Sequence, residues 1–253
     1  MKILFNKFKK FDNSILLQNA FTLIKYKLKD DLRTFFYHAI FHQERMSKMI
    51  SGFPKVNYYE FGVGEGRSLL YYLSALKLYC KVFNKDFYSF QIFCFDSFEG
   101  LPGKKSIKDD HIGWNKGEFS NDLDKIKKKL VKHGIDLKKN NIHFIKGLYE
   151  NSLTNDLKSK LEEYPPSIIN IDVDYYSSTK RVLEWLKSIL SSGAILYFDD
   201  IWSFNGHPDY GELGAIQEFN KIGDVQLTPF PLCGLSSKVY MFSRKNFEFK
   251  ENL

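Results

Sequence analysis

Cysteine is scarce in this sequence. The 253 residues hold three, Cys80, Cys94 and Cys233, scattered and odd in number. They form no CxxC pair, so neither a zinc site nor a disulfide framework is indicated, and a reducing cytoplasm is the expected compartment. Long apolar runs are missing too. No stretch of about 18 uninterrupted apolar residues occurs, so no membrane-spanning helix is expected. The opening MKILFNKFKKFDNSILL is basic, and its lysines interrupt the apolar segment a signal peptide would need. There is no internal repeat and no Pro/Gly/Ser-rich linker. The expected organisation is a helical extension over 1–53 followed by one domain over 54–253. Negative charge is in the minority: the net charge is +7 and the pI about 9.0. The lysines concentrate in DKIKKKLVKHGIDLKKN, residues 124–140. Without interleaved aromatics this reads as a solvated helix face, not a nucleic-acid surface. A basic surface would still attract phosphorylated or nucleotide-linked substrates.

What is present is a regular alternation. Residues 30–51 have helical periodicity, and Gly52 and Pro54 stop them. Strands are expected over 55–61, 90–95, 141–147, 167–172 and 194–200, with two more over 225–230 and 238–243 as an antiparallel edge. Helices are expected over 67–83, 121–134, 153–163, 178–193 and 212–222. Strand–helix alternation builds βαβ units and a mostly parallel sheet, an α/β fold with helices on both faces. Ligands of such sheets bind beyond the carboxyl ends of the strands. The interior strands here end at Glu60, Asp96, Gly147, Asp172 and the pair Asp199 and Asp200. Acids at four of five strand ends imply a shared acidic cleft.

The first strand runs into EFGVGEGRS, residues 60–68. Gly62, Gly64 and Gly66 allow a tight turn and a close backbone approach to a ligand. The dinucleotide fingerprint G-x-G-x-x-G is not met, because the third glycine comes one residue early. An acid followed by three alternate glycines is instead the usual form of the S-adenosylmethionine loop. Asp96 ends the second strand, where an acid can accept hydrogen bonds from ribose hydroxyls. Ser97 and Phe98 follow and would flank the adenine, and Arg67 is placed to meet a cofactor carboxylate. The expected cofactor set is Glu60, Gly62, Gly64, Gly66, Arg67, Ser68, Asp96, Ser97, Phe98, Gly147 and Asp172.

The segments EFGVGEGRS, FDSFEGLP, GEFS, FIKGLYENSL, IDVDYYSSTKRVLEWL, GAILYFDDI and GELGAIQEF follow one another in this order. Together they resemble the macrocin O-methyltransferase family over roughly residues 55–243. The resemblance implies a Rossmann-like class I methyltransferase with a seven-stranded sheet. It implies S-adenosylmethionine and Mg2+ as cofactors and a hydroxyl of a sugar or glycosylated metabolite as acceptor. It makes Asp172, Asp199 and Asp200 the magnesium ligands and Asp174 the base, and it points to a homodimer. The chemistry is coherent: a hard cation held by carboxylates orients a hydroxyl and lowers its pKa, and a neighbouring carboxylate takes the proton.

Other uses of these residues stay open at this stage. Asp174 could cap a helix starting near Ser177 or Ser178, and Asp199 and Asp200 could be turn residues. His207 is an alternative base on the loop after the fifth strand. His111 and Trp114 sit in a long insertion after the second strand, a typical place for a lid. Tyr175 and Tyr176 read as wall and core. Two other functions fit the same fold: a nicotinamide-dependent oxidoreductase, against which the early third glycine weighs, and a non-catalytic binding module.

Overall fold

The structure is a computed structural model that describes residues 32–233 and 236–246, the side chains of 231–233 excepted. The expectations for residues 1–31 and the Cys233 thiol lie outside what is described. Helix α1 (Leu32–Met49) precedes strand β1 (Asn57–Phe61), α2 (Arg67–Phe83), β2 (Gln91–Asp96), α3 (Leu123–Lys132) and β3 (Ile142–Lys146). Two short helices, α4 (Tyr149–Ser152) and α5 (Asn155–Lys160), lead to β4 (Ile168–Ile171) and α6 (Tyr176–Leu186). The chain then forms β5 (Ile195–Phe198), α7 (Gly211–Asn220), β6 (Val225–Cys233) and β7 (Lys238–Arg244).

The seven strands form one sheet in the order β3-β2-β1-β4-β5-β7-β6. The first five strands pair in parallel, and β7 runs antiparallel to both β5 and β6. This is the expected architecture, Rossmann-like with an antiparallel edge. Pro229 and Pro231 fall in β6, the edge strand, where a missing N–H costs no ladder bond on the open side.

Residue alternation along the strands divides the core in two. Tyr59, Phe61, Phe95, Ile169 and Ile171 face the layer holding Trp185 of α6 and Phe219 of α7. Tyr58, Ile92, Cys94 and Ile168 face the layer formed by α1, α2 and α3. Helix α2 buries Leu69, Tyr72, Leu73, Leu76, Tyr79 and Cys80, a three-and-four spacing that makes one apolar stripe. Helix α1 packs on α2. Its Phe36 sits edge-on between Tyr58 and Tyr72, which stack on each other at 3.7 Å, and Gln43 donates to the Gly193 carbonyl at 2.8 Å. Helix α3 buries Ile126 and Leu130 and turns its lysines outward, the solvated face that its sequence suggests.

The helix expected over 153–163 is shorter, α5 over Asn155–Lys160, capped by the Thr154 hydroxyl, which accepts the Leu157 N–H at 3.1 Å; the one-turn helix α4 before it was not expected. Helix α6 starts two residues earlier than its sequence suggests and ends at Leu186, where the chain passes into turns. No helix among the described residues is long and apolar enough to cross a membrane.

Candidate active site

Register decides which side chains meet. Glu60 pairs with Cys94 and with Asn170, and Asn170 pairs with Tyr197. These four form one row across β2, β1, β4 and β5. Two residues further on, on the same face, come Asp96, Gly62, Asp172 and Asp199. This outer row lines a cavity of about 800 Å³ at the carboxyl end of the sheet.

The glycine loop forms one wall. Gly62, Gly64 and Gly66 all have positive φ, at 82°, 50° and 74°. Gly62 donates to the Phe95 carbonyl while Asp172 N donates to that of Phe61, so the loop is locked between β2 and β4. A Cβ on Gly62 would lie 1.7 Å from the Asp172 carbonyl oxygen, whereas one on Gly64 would meet nothing within 4 Å. Gly64 and Arg67 line the cavity. Asp96 fastens the loop from the side: one carboxylate oxygen accepts from Val63 N (2.7 Å) and Gly64 N (3.1 Å), the other from Phe98 N (2.7 Å). Asp96 still lines the cavity, and the oxygen that accepts from Phe98 N alone keeps a lone pair for a hydroxyl donor.

Glu60 lies behind the loop, fully buried, accepting from the hydroxyls of Ser68 and Tyr58. Burial pushes its carboxyl up to about 8, against the hydrogen bonds from Ser68 and Tyr58. Asn170, 1% exposed, lines the cavity next to it, and its amide lacks a hydrogen bond of good geometry. The open backbone at Gly64, the Arg67 guanidinium, the Asp96 carboxylate and the Asn170 amide, which line one cavity, fit the parts of S-adenosylmethionine.

The acids form the floor. Asp172, Asp174 and Asp200 each bring a carboxylate oxygen within 4.8 Å of the others. Burial raises the carboxyls of all three; the charges of Asp199, Asp174 and Asp200 raise Asp172 further, that of Asp200 raises Asp174, and that of Asp199 raises Asp200. The contact between Asp174 and Asp200 pushes the Asp174 carboxyl up and draws that of Asp200 down. Three hard oxygen donors whose charges oppose one another are the donor set a divalent cation relieves, so the residues fit Mg2+. Asp199 lines the cavity beside them, one carboxylate oxygen accepting from the Tyr197 hydroxyl at 2.8 Å, and Asp174, expected as the base, stands in the converging group. Below them Glu212, fully buried, accepts the Asp200 N–H at 3.0 Å and holds that residue in place.

Asp174 has a left-handed backbone, φ 61°, which turns the chain sharply out of β4. It does not cap the following helix. Tyr175, the N-cap of α6, offers no side-chain bond there; Asp109, from the insertion between β2 and α3, accepts the Ser177 N–H at 2.8 Å. The insertion forms the roof. Trp114 is buried and lines the cavity, packed against His111, Phe204 and Tyr175, and the Tyr175 hydroxyl donates to its carbonyl at 3.3 Å.

The sequence-chosen residues therefore separate. Gly62, Gly64, Arg67, Ser68, Asp96, Asp172, Asp174, Asp199 and Asp200 line the cavity. Glu60, Gly66, Ser97, Phe98 and Gly147 do not. Ser97 braces its own loop, accepting from Glu99 N and donating to the Gly100 carbonyl. Phe98 lines a neighbouring groove with Lys125 and Lys146. Gly147 donates to the Asp96 carbonyl and so ties β3 to β2. His207 is exposed, accepts from Asp209 N and packs on Tyr210, away from the cavity lining; the histidine whose charge reaches Asp200 is His111. Asn170, Tyr197, Glu212 and Asp109 escaped the sequence reading. The first two could have been found from strand alternation behind Asp172 and Asp199. The last two act over long range and leave no local pattern.

No curated protein matches this chain. Among solved structures, the calicheamicin methyltransferase CalS11 superposes with a TM-score of 0.62 at 20% identity, covering 83% of this chain and 77% of its own. The O-methyltransferase NovP gives 0.59 at 14% identity, covering 83% and 78%. An apo form of CalS11, described as a TDP-rhamnose 3'-O-methyltransferase, gives 0.53 at 20% identity, covering 83% and 78%. At these identities the likeness establishes the fold. A family model, macrocin O-methyltransferase (TylF), matches residues 42–224. That match covers the glycine-loop wall, the floor and the roof of the cavity, and the chain belongs to the macrocin O-methyltransferase family.

Proposed function

We propose that this O-methyltransferase moves the methyl group of S-adenosylmethionine onto a hydroxyl of a sugar or glycosylated small molecule, with Mg2+ assistance, in the cytoplasm. Residues 54–253 would carry the machinery. The observation that supports this reading best is that the Asp172, Asp174 and Asp200 carboxylates converge in the same cavity that the glycine loop lines.

S-adenosylmethionine supplies an electrophilic methyl group, and Mg2+ supplies positive charge that favours the alkoxide over the hydroxyl. The chain's own residues do the rest. The loop backbone at Gly62 to Gly64, held by Asp96, forms the cofactor wall, and Arg67 faces the carboxylate end. Asp172 and Asp200 would hold the cation, with Asp174 beside them to take the acceptor proton. Trp114, Leu101 and Tyr175 close the roof as an apolar group that excludes water and offers a flat face to a sugar ring. The family's name and the TDP-rhamnose enzyme among the structural neighbours both direct the acceptor search to sugars.

The test is transfer of labelled methyl from S-adenosylmethionine to a panel of glycosides and nucleotide sugars, with and without EDTA. Label in a sugar hydroxyl, lost with chelator and restored by Mg2+, is expected. Transfer that ignores the chelator would remove the metal from the reaction, and label on nitrogen or carbon would overturn the O-methyl reading.

A further inference from the structure

We propose that Asp109 is a positioning residue for this site: it fastens the roof of the cavity and the turn bearing Asp174 to each other as one unit. The consequence for catalysis rests on the function proposed above; the coupling itself does not.

Asp109 is fully buried although it belongs to a long insertion. One carboxylate oxygen accepts from Lys105 N and Ser106 N, both at 2.9 Å, and closes the insertion's 3-10 turn (Ile107–Asp109) on itself. The other accepts from Ser177 N at 2.8 Å, in the first turn of α6 and 68 residues away. That bond is the side-chain cap α6 otherwise lacks, and a carboxylate there also meets the positive end of the helix dipole. Five residues beyond Asp109, the roof touches the same turn again, where Tyr175 donates to the Trp114 carbonyl. Lys108 adds a third tie, to Glu218 of α7, which also accepts from Tyr176 and Lys180.

Asp174 lies directly before these anchor points. A left-handed non-glycine residue is strained and persists only where the surroundings hold it. The surroundings on one side are the sheet, through Asp172 N to Phe61 O; on the other they are Tyr175 and Ser177. With Asp109 lost, the first turn of α6 is uncapped, the Asp174 turn can relax, and Trp114 loses the fixed base of its loop. The glycine loop is held by the sheet and by Asp96, and none of its bonds runs to Asp109, Lys108 or Trp114.

The test uses the full chain with Asp109→Asn and Asp109→Ala, and Thr154→Ala as a control that removes the remote cap of α5. Hydrogen exchange is followed over peptides spanning 60–68, 110–118 and 172–178, alongside Mn2+ titration by electron paramagnetic resonance and S-adenosylmethionine calorimetry. Exchange should quicken together in 110–118 and 172–178, leave 60–68 unchanged, and be absent there in Thr154→Ala. Mn2+ affinity should fall about tenfold, the order expected for one lost charged hydrogen bond, with cofactor affinity within about twofold. Should Asp109→Ala not fold, Asp109→Asn, which keeps the shape, decides. Loosening of 110–118 alone, equal loosening everywhere, or equal loss of both affinities would overturn the proposal. Linked exchange in a protein whose wild type binds no Mn2+ would uphold the coupling and instead sink the metal part of the proposed function.

Discussion

Gly62 has no room for a side chain, because the Asp172 carbonyl occupies the place where a Cβ would stand. Its left-handed φ adds a second reason. Gly62→Ala should therefore cost about 2–4 kcal/mol in urea unfolding and abolish S-adenosylmethionine binding, since relief requires β1 and β4 to separate. Glu60 makes a different prediction. Its folded carboxyl stays protonated up to about 8, while the unfolded chain releases the proton near 4.5. Between those values the folded state holds one proton more, so this group's contribution to stability falls as pH rises and is lost above about 8. Glu60→Gln should flatten the decline between pH 5 and pH 8 by up to a few kcal/mol, read as urea midpoints across that range. Both residues were legible as members of a ligand loop. What the sequence did not show is that Glu60 stands behind the loop and that Asp96 clamps it from the side, because which atoms a carboxylate accepts from depends on the neighbouring strand.

Elements with local signals matched their expected ranges closely. Helix α2 spans Arg67–Phe83, its anticipated extent, because a glycine turn opens it and an apolar stripe runs its length. The helix expected over 153–163 proved shorter, because the Thr154 hydroxyl caps it and starts it at Asn155. The insertion was legible as a loop and a lid candidate but not as a fastened roof, since its ties to α6 and α7 join residues 61 to 110 positions apart. Trp114 belongs to this scale. Trp114→Ala should lower stability by about 3 kcal/mol and raise the acceptor KM at least about tenfold, with little change in cofactor binding. Steady-state kinetics beside calorimetry checks this; equal loss of both would make the tryptophan plain packing.

At the scale of the molecule, a parallel sheet gathers the ends of β1, β2, β4 and β5 at one edge, and the acids at those ends meet there. This much followed from counting strands and reading their last residues. That Asp174 stands among the converging carboxylates did not follow, because the left-handed turn that brings it in leaves no pattern in the sequence. The most direct test of the whole account is calorimetric titration of S-adenosylmethionine and of Mg2+ into the wild type and Asp172→Ala. The account predicts that both proteins bind the cofactor with similar affinity and that only the wild type binds Mg2+. A folded wild type that binds no S-adenosylmethionine, or a variant that binds Mg2+ as well as the wild type does, would contradict it.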